Sequence, residues 1–156
     1  MIIMYTDGSY NKSKFPGYCG YSAIILDGNN MNIIYGGTND KYYSDMWNVG
    51  GELLAVIMGL NYIERHYNTS SVHIYHDYIG ISNWVNGKWS AKKEQTKDYF
   101  KFIKESQKKL KIIFSHVKGH SGDKYNEIAD MYTKKGLELS ASLCKDVCEI
   151  EIQKIN

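Results

Sequence analysis

Four acidic residues stand where the neighbouring sequence gives little reason for charge. Asp7 ends the apolar run MIIMYTD, and Asp77 ends SSVHIYHD. Glu52 is the sole carboxylate in the first turns of the apolar segment GGELLAVIMGL, and Asp130 interrupts EIADMY. Taken singly, each has a structural reading: Glu52 favours a helix N-terminus, Asp7 starts a turn, and Asp77 caps the next helix. Four carboxylates converging in one pocket would be different, because they repel and raise one another's pKa until a cation neutralises them. Oxygen ligands select a hard cation such as Mg²⁺. A carboxylate cluster holding two such ions ~3.5–4 Å apart suits in-line displacement at phosphorus.

A second group lies in SHVKGHSGDKYNEIAD, residues 115–130, where His116 and His120 are four apart and Asn126 stands one turn before Asp130. A zinc site on the two histidines would need thiol or imidazole partners that the stretch lacks. His116 falls in an apolar strand, IIFSHV, and reads as structural. His120 falls in the Gly-containing loop that follows it.

The elements that must carry these groups follow from periodicity. MIIMYTD, GYCGYSAIILDG and MNIIYGGT read as three strands of an antiparallel meander with a turn at DGNN. Apolar residues 53, 56, 57, 60 and 63 form a helical stripe, SSVHIYHD is a fourth strand, and a short helix runs through Trp84. A Lys-rich helix with Tyr99, Phe102, Ile103 and Leu110 inward, a fifth strand LKIIFSHV, and an amphipathic last helix complete the order βββαβαβα. This order describes an α/β protein with a five-stranded mixed sheet and helices on its faces. Residues 1–140 read as one catalytic domain, and 141–156 as a C-terminal extension that is a final strand, a packed arm or a frayed tail.

Composition sets broad bounds. The chain has 156 residues and a net charge of only +2, so bulk charge does not point to a polyanion. Its distribution does: residues 88–111 hold nine lysines against Glu94, Asp98 and Glu105, a local +6, and the remainder is −4. Such a stretch is either a solvated helix face or a footprint for phosphates. Arg65 is the only arginine, which argues against base-specific readout by guanidinium forks. Cys19, Cys144 and Cys148 form no CxxC pair and fit free thiols in a reducing, cytoplasmic setting. No leader opens the chain, and no apolar run reaches the ~18 residues of a membrane span.

YTDGSY, NVGGELLAVIMGL, YHDYIGISNWV and VKGHSGDKYNEIAD together resemble the signature segments of type 1 ribonuclease H, in that family's order, over residues ~1–140. The resemblance implies a ribonuclease H-like fold with strand order 3-2-1-4-5 and an endoribonuclease that hydrolyses the RNA strand of RNA–DNA hybrids. It implies Asp7, Glu52, Asp77 and Asp130 as ligands of two Mg²⁺ ions, with Mn²⁺ as a substitute. It also implies His120 as a proton-handling catalytic residue, and Asn48, Ser9 and Asn126 as substrate-side residues. Products would carry 5′-phosphate and 3′-hydroxyl ends, from a monomer acting without a membrane. Two other readings are a non-catalytic hybrid-binding module and a different metal-dependent nuclease on the same fold. The four acids argue against the first, the GHxGD segment against the second.

The chain departs from the family pattern at Tyr78, where Ser is frequent, at Val49, where a second polar residue often follows the Asn, and in the first loop, NKSKFPGY. NGKWSAKKEQTK is too short for the basic protrusion, and an N-terminal hybrid-binding domain is not expected. Trp84 and Trp89 read as cover for the neighbouring helix rather than as stacking residues. Without those basic elements, hybrid binding is expected to be weak and to fall steeply with salt. Affinity that barely changes between 50 and 200 mM salt, the range across which phosphate contacts normally lose several orders of magnitude, would contradict this.

Overall fold

The meander forms as β1 (Ile2–Tyr10), β2 (Cys19–Asp27) and β3 (Asn30–Thr38), each antiparallel to the next. A one-turn helix α1 (Lys41–Ser44) leads into the long α2 (Asn48–His66), followed by β4 (Ser71–His76), α3 (Gly80–Asn86) and α4 (Glu94–Ser106). The chain ends with β5 (Lys111–His116), α5 (Lys124–Leu143) and β6 (Val147–Lys154). The computed structural model describes residues 1–155.

Alternation on the strands separates two cores, as a sheet covered on both faces requires. On one face Met4, Ala23, Ile25, Ile34, Val72 and Ile74 pack with α2, α3 and α4 through Leu53, Leu60, Ile81 and Tyr99. On the other, Tyr5, Ile24, Ile33 and Tyr35 meet Ala129 and Tyr132 of α5. β1 lies near the middle, parallel to β4 and antiparallel to β2, and β5 extends the parallel side.

The sheet corrects one expectation. It has six strands in the order β5-β4-β1-β2-β3-β6, not five; the 3-2-1-4-5 order is retained inside it, and β6 is added outside β3. The physical reason lies in the turn before VCEIEIQK, which delivers it to the open edge of β3. Cys144 adopts φ 53° and closes α5, with the Lys145 N–H donating to the Ser140 carbonyl at 3.2 Å. Thr38 Oγ1 then donates to Asp146 Oδ1 at 2.6 Å, and β6 pairs with β3 from Val147↔Gly37 to Lys154↔Asn30. A further helix, α1, also goes beyond the expected order. No helix among the described residues is long and apolar enough to cross a membrane.

Helix α5 approaches the sheet closely because two glycines face each other. A Cβ on Gly136 would stand 2.2 Å from the Gly36 carbonyl oxygen, a backbone atom that cannot swing aside. Gly136→Ala is therefore expected to cost ~1–3 kcal/mol by overpacking. Thermal unfolding should register this as a midpoint lower by about 2–4 °C per kcal/mol.

Candidate active site

The parallel ladder between β1 and β4 ends at Thr6↔His76. The next residues along each strand are Asp7 and Asp77, which places the two carboxylates side by side. Asp7 does not close its strand, as its apolar run suggested: β1 continues to Tyr10 against β2. Asp77 does follow the last residue of β4. Glu52 reaches the same point from the first turns of α2, where the chain packs against β1 without a side chain between them. A Cβ on Gly8 would sit 2.2 Å from the Glu52 backbone nitrogen, so glycine at that position sets the approach. The Gly8 N–H also donates to Asp7 Oδ1 at 2.9 Å.

Ligand oxygens of Asp7, Glu52 and Asp77 lie within 4.8 Å of one another. Asp7 and Glu52 are only 4% and 2% exposed. Burial, reinforced by the Asp77 charge, pushes the Asp7 carboxyl up to about 7. Burial and then the charges of Asp7 and Asp77 hold Glu52 well above the usual carboxylate range. Burial also raises Asp77, with Asp130 adding to the rise and His120 offsetting part of it. Glu52 Oε2 has no hydrogen-bond partner among the described residues. An all-oxygen donor set, dry and mutually repelling, fits a hard divalent cation and would be costly without one.

The other expected residues are placed differently. Asp130 faces the cluster closely enough to raise Asp7 and Asp77, yet lies outside the group of three and accepts from Lys134 Nζ at 2.9 Å. His120, with φ 56°, is exposed on the loop between β5 and α5. That loop runs along the site, since a Cβ on Gly119 would stand 3.6 Å from Asp77 Oδ2. Asn48 is exposed as the first residue of α2. Asn126 is buried with its Oδ1 unpartnered among the described residues. The Ser9 hydroxyl donates to the Thr133 carbonyl at 3.0 Å and accepts from Thr133 Oγ1 at 3.3 Å, which ties β1 to α5.

Beside the site a groove of about 420 Å³ is lined by Met46, Trp47, Val49, Tyr78, Trp84 and Lys93, among others. Trp84 packs on the core as expected, with Trp89 edge-on to it at 5.6 Å. Sequence reasoning missed Trp47, 59% exposed, at φ 59° and ψ −132°, and stacked on Tyr10 at 6.1 Å. It also missed bonds from His76 and His116 to the backbone around Asp77. Neither feature leaves a periodic signal in the chain.

The RNase H family profile matches residues 1–138. A ribonuclease H of Wolbachia pipientis wMel is 33% identical over 148 residues, covering 87% of this chain and 94% of that protein. A ribonuclease H of Janthinobacterium sp. (strain Marseille) is 32% identical over 150 residues, covering 90% and 98%. The crystal structure of LC11-RNase H1 in complex with RNA/DNA hybrid superposes with a TM-score of 0.72 at 20% identity, covering 90% of this chain and 99% of that one.

Because the folded Asp7 carboxyl is raised, the cation-free folded chain holds a proton that the unfolded chain has released between pH 3.8 and about 7. That stability is fully present below the lower value and is lost as pH rises through the upper one. At pH 7.5 in EDTA, Asp7→Asn is expected to raise the unfolding midpoint by at least about 2–4 °C, the shift that 1 kcal/mol gives in a chain of this size. The gain should shrink toward pH 4; a lower midpoint for the variant at pH 7.5 would contradict the repulsion.

Proposed function

We infer that this chain, which belongs to the ribonuclease H family by its match over residues 1–138 and by relatives 32–33% identical along nearly their whole length, hydrolyses the RNA strand of RNA–DNA hybrids. Family membership makes it a nuclease; the carboxylate trio at the end of the β1/β4 ladder is the observation that carries the reaction chemistry. Asp7, Glu52, Asp77 and Asp130 would hold two Mg²⁺ ions, with Mn²⁺ as a substitute. When bound, such ions supply a water nucleophile at neutral pH and stabilise charge on the scissile phosphate and the leaving 3′ oxygen. Cleavage would leave 5′-phosphate and 3′-hydroxyl ends.

The remaining work falls to the chain itself. Asp7 and Glu52, fixed in a strand and a helix, give a preformed, buried floor of carboxyl oxygens, which a bound cation would hold deprotonated. Asp130 joins by exchanging Lys134 for the cation. His120, exposed on the loop that passes Asp77, would take or give a proton at the phosphate. Asn48, free at the start of α2, and Asn126, one turn before Asp130, would act on the substrate side, as would Ser9, whose hydroxyl also ties β1 to α5 through Thr133. Selection of RNA would rest on 2′-hydroxyl contacts and helix shape. The groove beside Tyr78 and Trp84, with Lys92 and Lys93 on its rim, suits the hybrid's backbone. That the LC11 enzyme was crystallised with RNA/DNA hybrid supports the same substrate.

End-labelled RNA–DNA hybrid, double-stranded RNA and duplex DNA, each incubated with Mg²⁺, Mn²⁺ or EDTA, test this directly. Only the RNA strand of the hybrid should be cut, and only with a divalent cation. Asp77→Asn should lower the rate by more than the ~10–100-fold typical of losing an outer-shell partner. Cation-independent cutting, or full activity in the variant, would refute the assignment.

A further inference from the structure

Of the three clustered carboxylates, Asp77 alone sits outside regular structure. Asp7 lies within β1 and Glu52 within α2, whereas Asp77 falls in the bend between β4 and α3. Yet three consecutive carbonyls of that bend are each held by a donor. The Val117 N–H donates to the His76 carbonyl at 2.8 Å. His116 Nε2 lies 2.9 Å from the Asp77 carbonyl oxygen, and His76 Nδ1 lies 3.0 Å from that of Tyr78. A carbonyl only accepts, so His116 carries its proton on Nε2 and His76 on Nδ1.

The two imidazoles, 6.0 Å apart, hold the backbone at Asp77 itself and at the residue after it. His76 is fully buried, with Phe114 of β5 edge-on to it at 6.0 Å, so its ring has little freedom. His116 is exposed and is the last residue of β5, where the loop carrying His120 begins. The same loop passes Asp77 again at Gly119.

We propose that His116 and His76 are positioning residues that clamp the backbone of Asp77 and hold its carboxylate in the geometry a divalent cation requires. A ligand from a bend must otherwise lose backbone freedom when the cation binds, and a clamp made in advance removes that cost. His116 also ties the start of the His120 loop to the ligand. The proposal rests on the reading of Asp77 as a cation ligand.

Replacement of His116, the exposed member, tests this without disturbing the core. His116→Leu removes the donor, and His116→Gln puts an amide N–H at the reach of Nε2. Titration calorimetry of Mn²⁺ into the hybrid-free protein is expected to show affinity ~10–100-fold weaker for His116→Leu, the usual loss when a partner behind the ligands is removed. His116→Gln should bind close to wild type. Unfolding in EDTA should be unchanged in both, as for most surface substitutions. The kcat of His116→Leu should recover at saturating Mn²⁺ while KM for the hybrid stays constant. Wild-type affinity in His116→Leu, or no rescue by His116→Gln, would overturn the clamp. Asp77→Asn run in parallel separates the two ideas: if it binds Mn²⁺ as tightly as wild type, the ligand reading itself fails and the clamp fails with it.

Discussion

Carboxylates forced together in a dry pocket repel, and most of what surrounds Asp7, Glu52 and Asp77 serves to keep them there. Asp7 is supported from both sides of its strand, by the ladder to β2 and by the end of the ladder to β4. Glu52 is carried by a helix in which Leu53, Val56, Leu60 and Ile63 are fully buried. Two cores, one on each face, supply the stability that the local repulsion withdraws, and a cation would then relieve it. Functional sites commonly depart from the optimum for stability in this way.

The convergence is a consequence of topology. β1 is the strand at which the sheet changes from antiparallel to parallel pairing, and its two ladders have different lengths. On the β4 side the ladder stops at Thr6, while on the β2 side it runs on to Tyr10. The mismatch opens a notch at Asp7 beside the end of β4. Sheets bind ligands at such switch points because chain directions diverge there and leave a crevice. Here the start of α2 closes the notch from one face, and α5 with its preceding loop lies on the other.

Much of this was legible because it is local. Asp7, Glu52 and Asp77 each interrupt an apolar pattern, and interrupted patterns survive in the sequence. The helical stripes of α2 and α5 were readable for the same reason. What was not legible depends on pairings between distant segments. β6 is an edge strand with only Val147 buried, so VCEIEIQK carries a weak signal, and its place beside β3 depends on the left-handed turn at Cys144. The bond from His116 to the Asp77 carbonyl joins residues 39 apart through a parallel register that no spacing rule encodes. The extent of β1 beyond Asp7 was missed because DGSY is polar, and polar residues extend a strand without marking it.

Asp130 differs from the other three acids, and the difference bears on how such a site operates. Its partner Lys134 is one turn along the same helix and largely open to solvent, while Asp130 itself is half-buried. An i,i+4 helix pair of this kind contributes only ~0.3–0.5 kcal/mol. Breaking that pair therefore costs little, whereas moving Asp7 or Glu52 would disturb a strand or a helix start. Two acids set in a strand and a helix, a third in the bend after β4 and a fourth in an easily broken ion pair make a cluster that is fixed where it is most buried and looser toward solvent.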